Sequence, residues 1–264
     1  MELRPLGSTG LQVSPVGLGT VKFGRNRQVK YPGAFELPDD HSLRDLLAVA
    51  RELGINLLDT APAYGRAEER LGALVDDPAY WVVVTKVGEE FEHERSRFDY
   101  SAAATRASVE RSLHRLGRDV LDVVLVHSDG DDPRIAEREE VFGELARLKQ
   151  EGLLRAFGFS SKTVSGGLWA VEHCDVVMAT LNPTHTDERP VFEAALQQHK
   201  GALVKKALQS GHADAGAGGG GIEAALRLAL SQAGVSSVVL GTISPDHLRA
   251  NVAIAERVLG GPGR

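Results

Sequence analysis

Cysteine is nearly absent. Among 264 residues only Cys174 is present, so no internal disulfide and no multi-cysteine metal site can form, and no metal centre is expected. A basic excess is also missing. Lysine plus arginine number 30 against 36 aspartate plus glutamate, which gives a net charge of −6 and a pI near 5.9. No global positive field draws such a chain to nucleic acid or to an anionic membrane. Long apolar runs are lacking too. None approaches the roughly 20 residues a membrane-spanning helix needs, and Met1 to Gly7 offers no apolar stretch for a signal peptide. These absences predict a soluble, cytoplasmic protein with neither nucleic-acid nor membrane partners.

What is present is an ordinary globular composition. Hydrophobic residues make up 42% and charged residues 25%, enough for one sizeable core. The length suits a single α/β barrel, so one domain over 1–264 is expected.

Residues 3–18 carry Gly7, Gly10 and Pro15 between short apolar pieces, which predicts a β-hairpin ahead of the main fold. Val16 to Phe23 reads as a first core strand, with no helix following directly, and Arg25 to Pro38 as a loop. Asp39 or Asp40 can cap a helix whose apolar face is Leu43, Leu46, Leu47 and Ala50, ended by Gly54. Strand and helix then alternate. Strands are predicted at 55–59, 81–86, 121–127, 154–159, 175–181, 202–207 and 236–241. Helices are predicted at 67–75, 101–116, 134–150, 163–173, 188–199, 222–233 and 245–259. The run Ala215 to Gly221 reads as a glycine-rich loop. With the first strand this makes eight strand–helix units. The strands are short and apolar rather than alternating, as in a parallel sheet covered on both faces. Eight units favour a closed (β/α)8 TIM barrel with an N-terminal hairpin. An open doubly wound sheet would carry Gly-x-Gly-x-x-Gly after its first strand, and Gly17-Leu18-Gly19-Thr20 lacks the third glycine.

In such a barrel the chemistry sits at the carboxyl ends of the strands. Asp59, Lys86 and His127 each close an apolar strand, and Tyr64 follows Asp59 on a Pro62/Gly65 turn. A lysine ending a dry strand needs a carboxylate, and Asp59 is the nearest candidate. An ammonium beside Tyr64 favours the phenolate and makes the tyrosine a usable proton donor near neutral pH. His127 can hydrogen-bond the same oxygen and orient a carbonyl. Taken singly, each residue reads as packing or as a structural ion pair; all four at one face point to an active site.

The same residues carry a family resemblance. The spacing Asp59…Tyr64…Lys86…His127 resembles the aldo-keto reductases, as do Leu6-Gly7-Ser8-Thr9-Gly10, Gly17-Leu18-Gly19-Thr20 and Asp59-Thr60-Ala61-Pro62-Ala63-Tyr64-Gly65. Gly158-Phe159-Ser160-Ser161 and Gly241-Thr242-Ile243-Ser244-Pro245…Asn251 extend it, from about Leu3 to Glu256. The resemblance implies a barrel that binds NADP(H), with NAD as the alternative, and reduces aldehydes or ketones. It makes Tyr64 the proton donor, Asp59 and Lys86 its tuning pair and His127 the carbonyl orienter. It places Gly19 and Thr20 near the nicotinamide and Ser160 on the carboxamide. Ser161 stands where asparagine is usual, Met178 where glutamine is, and Lys205 near the position of a stacking aromatic.

At the adenosine end it points to Gly241, Thr242, Ser244, His247 and Asn251. Gly241 and His247 replace a common lysine and arginine, and Arg249 lies nearby. Lys205-Lys206 reads either as a pyrophosphate contact or as a solvated charge pair. Two rival functions follow from the same residues. One is a Schiff-base barrel enzyme with Lys86 as nucleophile. The other is a non-enzymatic sensor or regulatory subunit that keeps the barrel and the cofactor. Substrate identity and oligomeric state have no local code.

Overall fold

The computed structural model describes residues 1–29, 33–92, 94–211 and 220–260. A two-stranded antiparallel hairpin comes first, β1 (Arg4–Pro5) with β2 (Gln12–Val13), paired Arg4 to Val13. The barrel strands follow in order, each parallel to the next: β3 (Val16–Gly19), β4 (Leu57–Asp59), β5 (Val82–Val87), β8 (Leu121–His127), β9 (Leu154–Ser160), β10 (Val176–Thr180), β11 (Gly201–Lys205) and β12 (Ser237–Leu240). β12 pairs back on β3, Val238 opposite Val16, which closes the ring. The expected hairpin and (β/α)8 barrel are therefore the observed fold.

Around the barrel lie α2 (Asp40–Glu52), α3 (Ala67–Leu74), α4 (Ala102–Leu116), α5 (Asp132–Arg138), α6 (Val141–Gln150), α7 (Val164–His173), α8 (Arg189–Gln197), α9 (Gly220–Ser231) and α10 (Pro245–Gly260). Asp39 caps α2 by accepting from the Ser42 N–H at 2.7 Å, and Ser101 and Thr163 cap α4 and α7 in the same way. None of the described helices is long and apolar enough to cross a membrane.

The apolar core is two clusters, divided by strand parity. Leu58, Val83, Val124, Val126, Val177, Ala202 and Val204 face outward to the helices. Leu57, Val82, Val84, Val123, Leu125, Ala156, Val176, Met178 and Leu203 fill the barrel interior, joined from below by Leu6, Leu11 and Val13 of the hairpin. The hairpin is thus a plug for the amino-terminal end. A step of two residues from the inward set reaches Asp59, Lys86, His127 and Lys205, and two such steps from Ala156, past Gly158, reach Ser160. The top inward layer is polar because the sequence changes character at those positions.

Three local expectations are corrected. The first strand stops at Gly19, and a one-turn helix, α1 (Val21–Gly24), follows directly. Thr20 sends both its N–H and its hydroxyl to the Asp59 carbonyl, each at 2.9 Å, which ends the strand; the Phe23 N–H then bonds the Thr20 carbonyl. The single helix predicted over 134–150 is two, because Glu139 is extended between α5 and α6 (φ −100, ψ 153). A second hairpin, β6 (Glu89–Glu92) with β7 (Arg95–Phe98), lies in a stretch with no predicted element. Its strands are highly charged, with Glu90 opposite Arg97 and Glu92 opposite Arg95 in register, and the Ser96 hydroxyl crosses the ladder to Glu89. Most of the expected glycine-rich loop, 215–219, lies outside the described residues.

Candidate active site

The carboxyl ends of the barrel strands enclose a cavity of about 570 Å³, within the range of small-molecule sites. Its wall includes Gly19, Asp59, Tyr64, Lys86, His127, Ser160, Met178, Lys205 and Gly241. The four residues expected to carry chemistry are therefore together.

Lys86 is 2% exposed and donates to Asp59 Oδ1 at 2.6 Å and to the Thr60 carbonyl at 2.8 Å. A charge that dry is tolerated because its partner is equally buried and a carbonyl takes a second proton. Tyr64 stands on a one-turn 3₁₀ helix (Pro62–Tyr64) directly after β4. The Lys86 Nζ lies 4.8 Å from the centroid of its ring, and the His127 ring meets it edge-on at 6.3 Å.

His127 brings a partner the sequence did not announce. Its Nδ1 is 2.8 Å from Glu89 Oε2, outside linear hydrogen-bond geometry. The Ser96 hydroxyl donates to Glu89 Oε1 at 2.5 Å, and Arg25 Nη1 is 3.7 Å from that oxygen. Burial alone would raise the Glu89 carboxyl, but His127, Ser96 and Arg25 together outweigh it and hold the group at about 2. Burial pushes His127 below its ordinary value, against the pull of Glu89 and with the help of Lys86 and Lys205. Arg25 also stacks on Phe91 at 3.6 Å and donates to the Ala63 carbonyl, one residue before Tyr64. No motif marks Glu89. The only available signal was a carboxylate three residues past Lys86.

On the other side of the mouth, Lys205 reaches over Met178 to Ser160 Oγ at 2.9 Å and to the Ser161 carbonyl at 2.5 Å. It is neither a solvated charge nor ion-paired: among the described residues no carboxylate lies within 4 Å of it. Burial, then Lys206, pulls its ammonium down to about 7. The Ser161 hydroxyl is buried and has no hydrogen bond among the described residues. Thr20 is buried beneath the floor and fixes the Asp59 carbonyl, without lining the cavity.

Beyond Gly241 the wall passes to the loop before α10. Thr242 Oγ1 accepts the Ser244 N–H at 3.1 Å, and Ser244 Oγ accepts the His247 N–H at 3.3 Å, capping the helix. Asn251 is buried, and its amide makes no hydrogen bond among the described residues. Arg249 turns away to Glu52 at 2.9 Å. Trp81 and Trp169 pack, against Tyr80 and Phe142 respectively, and His185 pairs with Glu188 at 3.1 Å. Among the described residues no three His, Cys, Asp or Glu side chains are grouped to hold a metal ion.

Comparison with known proteins agrees with this geometry. Residues 15–217 match the sequence profile of the Aldo/keto reductase family. A solved structure described as an aldo-keto reductase from Pseudomonas aeruginosa superposes with a TM-score of 0.88 at 53% identity, over 97% of this chain and 95% of that one. An uncharacterized oxidoreductase of Bacillus subtilis is 31% identical over 78% of this chain and 64% of its own length. An NADH-specific methylglyoxal reductase of Escherichia coli is 35% identical over 60% of this chain and 51% of its own. The chain thus spans between about half and two thirds of the length of these two curated relatives. On its barrel, its strand-end residues and its profile match, the chain belongs to the aldo-keto reductase family.

Proposed function

We propose that the chain is an oxidoreductase that interconverts a small aldehyde or ketone and its alcohol using a nicotinamide dinucleotide, with Tyr64 as proton donor. The observation that carries this reading is the Tyr64 ring held between the Lys86 ammonium and the His127 imidazole inside one cavity. Lys86, fixed by Asp59, favours the phenolate left after proton release, so the proton leaves Tyr64 readily. His127 meets the Tyr64 ring edge-on at the same cavity wall, and we assign it to orient the carbonyl. The rival in which Lys86 attacks a carbonyl is disfavoured, because an amine that holds its proton against Asp59 at 2.6 Å has no lone pair to offer.

The residues present suit the cofactor. Gly19 leaves a bare floor, where an added Cβ would come 3.0 Å from Val239 Cγ1. Ser160, Lys205 and the unpartnered Ser161 hydroxyl are donors for an amide-bearing ring beside it, with Asp59 behind and Thr20 fixing the Asp59 carbonyl. Gly241, Thr242, Ser244 and the first N–H groups of α10 suit a phosphate, and His247 and Asn251 lie on that helix. When bound, the nicotinamide supplies the hydride to the carbonyl carbon. Val21, Val29, Phe98 and Leu208 give the mouth an apolar side, which fits a small, weakly polar carbonyl compound. We take NADPH as the preferred cofactor by a narrow margin.

Titration with NADPH and NADH, followed by an aldehyde and ketone panel read by loss of the reduced-nicotinamide absorbance, tests this. Tyr64→Phe should keep cofactor affinity and lose about 10²–10⁴-fold in turnover. Absence of cofactor binding, or native turnover in Tyr64→Phe, would overturn the reading.

A further inference from the structure

We propose that Glu89 is a positioning residue for His127: its carboxylate holds the imidazole proton on Nδ1 and leaves Nε2 as the nitrogen that gains and loses a proton on the cavity side. The inference rests on the reading of Tyr64 as proton donor only for its catalytic consequence.

The argument starts from the carboxylate. Glu89 is 10% exposed at its side chain and receives the Ser96 hydroxyl on Oε1, with the Arg25 guanidinium 3.7 Å from the same oxygen. Two such neighbours keep it anionic, and an anionic carboxylate only accepts hydrogen bonds. A carboxylate oxygen 2.8 Å from a ring nitrogen repels a lone pair there and attracts an N–H even off the line of the bond, so Nδ1 carries the proton. That nitrogen is sealed from solvent, whereas the imidazole as a whole is 20% exposed and lines the cavity. The ring is anchored at its other end too, since the Tyr100 hydroxyl donates to the His127 carbonyl at 2.9 Å.

Among the described residues, Lys86 from β5, Lys205 from β11 and the edge-on Tyr64 after β4 act on the ring, and Asp59 and Asp129 line the same cavity. Both lysines oppose the imidazolium. Glu89 is the anion against the ring, and it favours the imidazolium. In carbonyl reduction Tyr64 gives its O–H proton to the alkoxide formed by hydride addition. Nε2, bare in the resting neutral imidazole, takes up a proton from solvent, and the phenolate then takes that proton from the imidazolium. His127 is left neutral again, with its proton on Nδ1 against Glu89. Glu89 keeps no proton at any stage, as an orienting carboxylate behind a working histidine should.

The test is the tautomer of His127 in the protein without cofactor, read by two-dimensional ¹⁵N–¹H NMR, with His127→Asn to assign the signal among nine histidines. The expected wild-type result is a neutral Nδ1–H imidazole, changing to Nε2–H in Glu89→Leu and returning in Glu89→Asp. If Glu89→Leu fails to fold, the size-matched Glu89→Gln serves, read by the His127 titration midpoint, which should move to lower pH once the anion is lost. With substrate, Glu89→Gln should lose about ten- to a hundredfold in kcat with a smaller change in KM. A wild-type Nε2–H signal, or an unmoved midpoint in Glu89→Gln, would overturn the proposal. Because the tautomer is read without cofactor or substrate, loss of the oxidoreductase reading would show separately, as absent turnover beside an intact Nδ1–H signal.

Discussion

Two buried lysines stand on opposite sides of the same cavity, and their partners give them different chemistry. Lys86 meets a carboxylate at 2.6 Å; among the described residues Lys205 meets a hydroxyl and a carbonyl. Lys86→Met would leave Asp59 as an uncompensated buried anion, a loss of about 3–5 kcal/mol. That anion also disfavours a phenolate next to it. The alkaline-side rise of kcat/KM for alcohol oxidation, which needs the phenolate as base, should therefore move to higher pH in Lys86→Met. An unmoved midpoint would reduce the pair to a structural ion pair.

For Lys205 the sign follows from its depressed value. The folded ammonium loses its proton near 7, while the unfolded one keeps it to about 10.5. Between those limits the unfolded chain binds more protons, so stability rises with pH, and the charged lysine costs most at pH 7 and below. Lys205→Met should then raise Tm by several degrees at pH 6 and by clearly less at pH 10. An equal gain at both pH values would contradict a buried, titrating Lys205.

At the scale of elements, the loop bearing Tyr64 is seated on α1. A Cβ on Gly24 would lie 2.4 Å from the Tyr64 carbonyl and 2.5 Å from the N–H groups of Arg66 and Ala67. Gly65 closes the turn at φ +63, with Gly24 O 2.3 Å from where its Cβ would be. Backbone thus lies on backbone, and neither residue has slack. Gly24→Ala should push Tyr64 away from Lys86, lowering kcat about 10–100-fold with little change in cofactor Kd. Stopped activity with an unaltered position of Tyr64 in a crystal of the variant would refute this account. The glycine at 24, which permits a close approach, was legible in the sequence. The identity of the approaching chain was not, because the one-turn helix is too short to leave a 3.6-residue pattern.

The proposed cofactor balance belongs to the whole molecule, since the ends of β3 and β12 that would hold the dinucleotide are neighbours only through closure of the barrel. Each charge-assisted bond to a 2′-phosphate is worth roughly 1.5–3 kcal/mol. Gly241 contributes none, Arg249 is engaged by Glu52, and His247 is the remaining candidate. NADPH should therefore bind only about tenfold tighter than NADH, and the ratio should fall as salt rises. Comparing the two dissociation constants at low and high ionic strength decides it, and tighter NADH would refute the NADPH preference.

The sequence by itself determined the barrel, its hairpin and the four residues that end buried strands or follow one directly. It could do so because Asp59, Lys86 and His127 interrupt apolar runs, and an ionisable group there is too costly to be incidental. Tertiary structure alone decided who meets whom above the core. Glu89 reaches His127 because a charged hairpin, which carries no periodic run of apolar residues, forms beside the mouth. Lys205 reaches Ser160, 45 residues away and two strands round the ring, because closure and register bring those ends to one height with neutral Met178 between them. Inward parity was present in every strand, yet hidden, since both faces are apolar until the last inward step. A period of two places a side chain on a face; the geometry of a closed sheet chooses its neighbours.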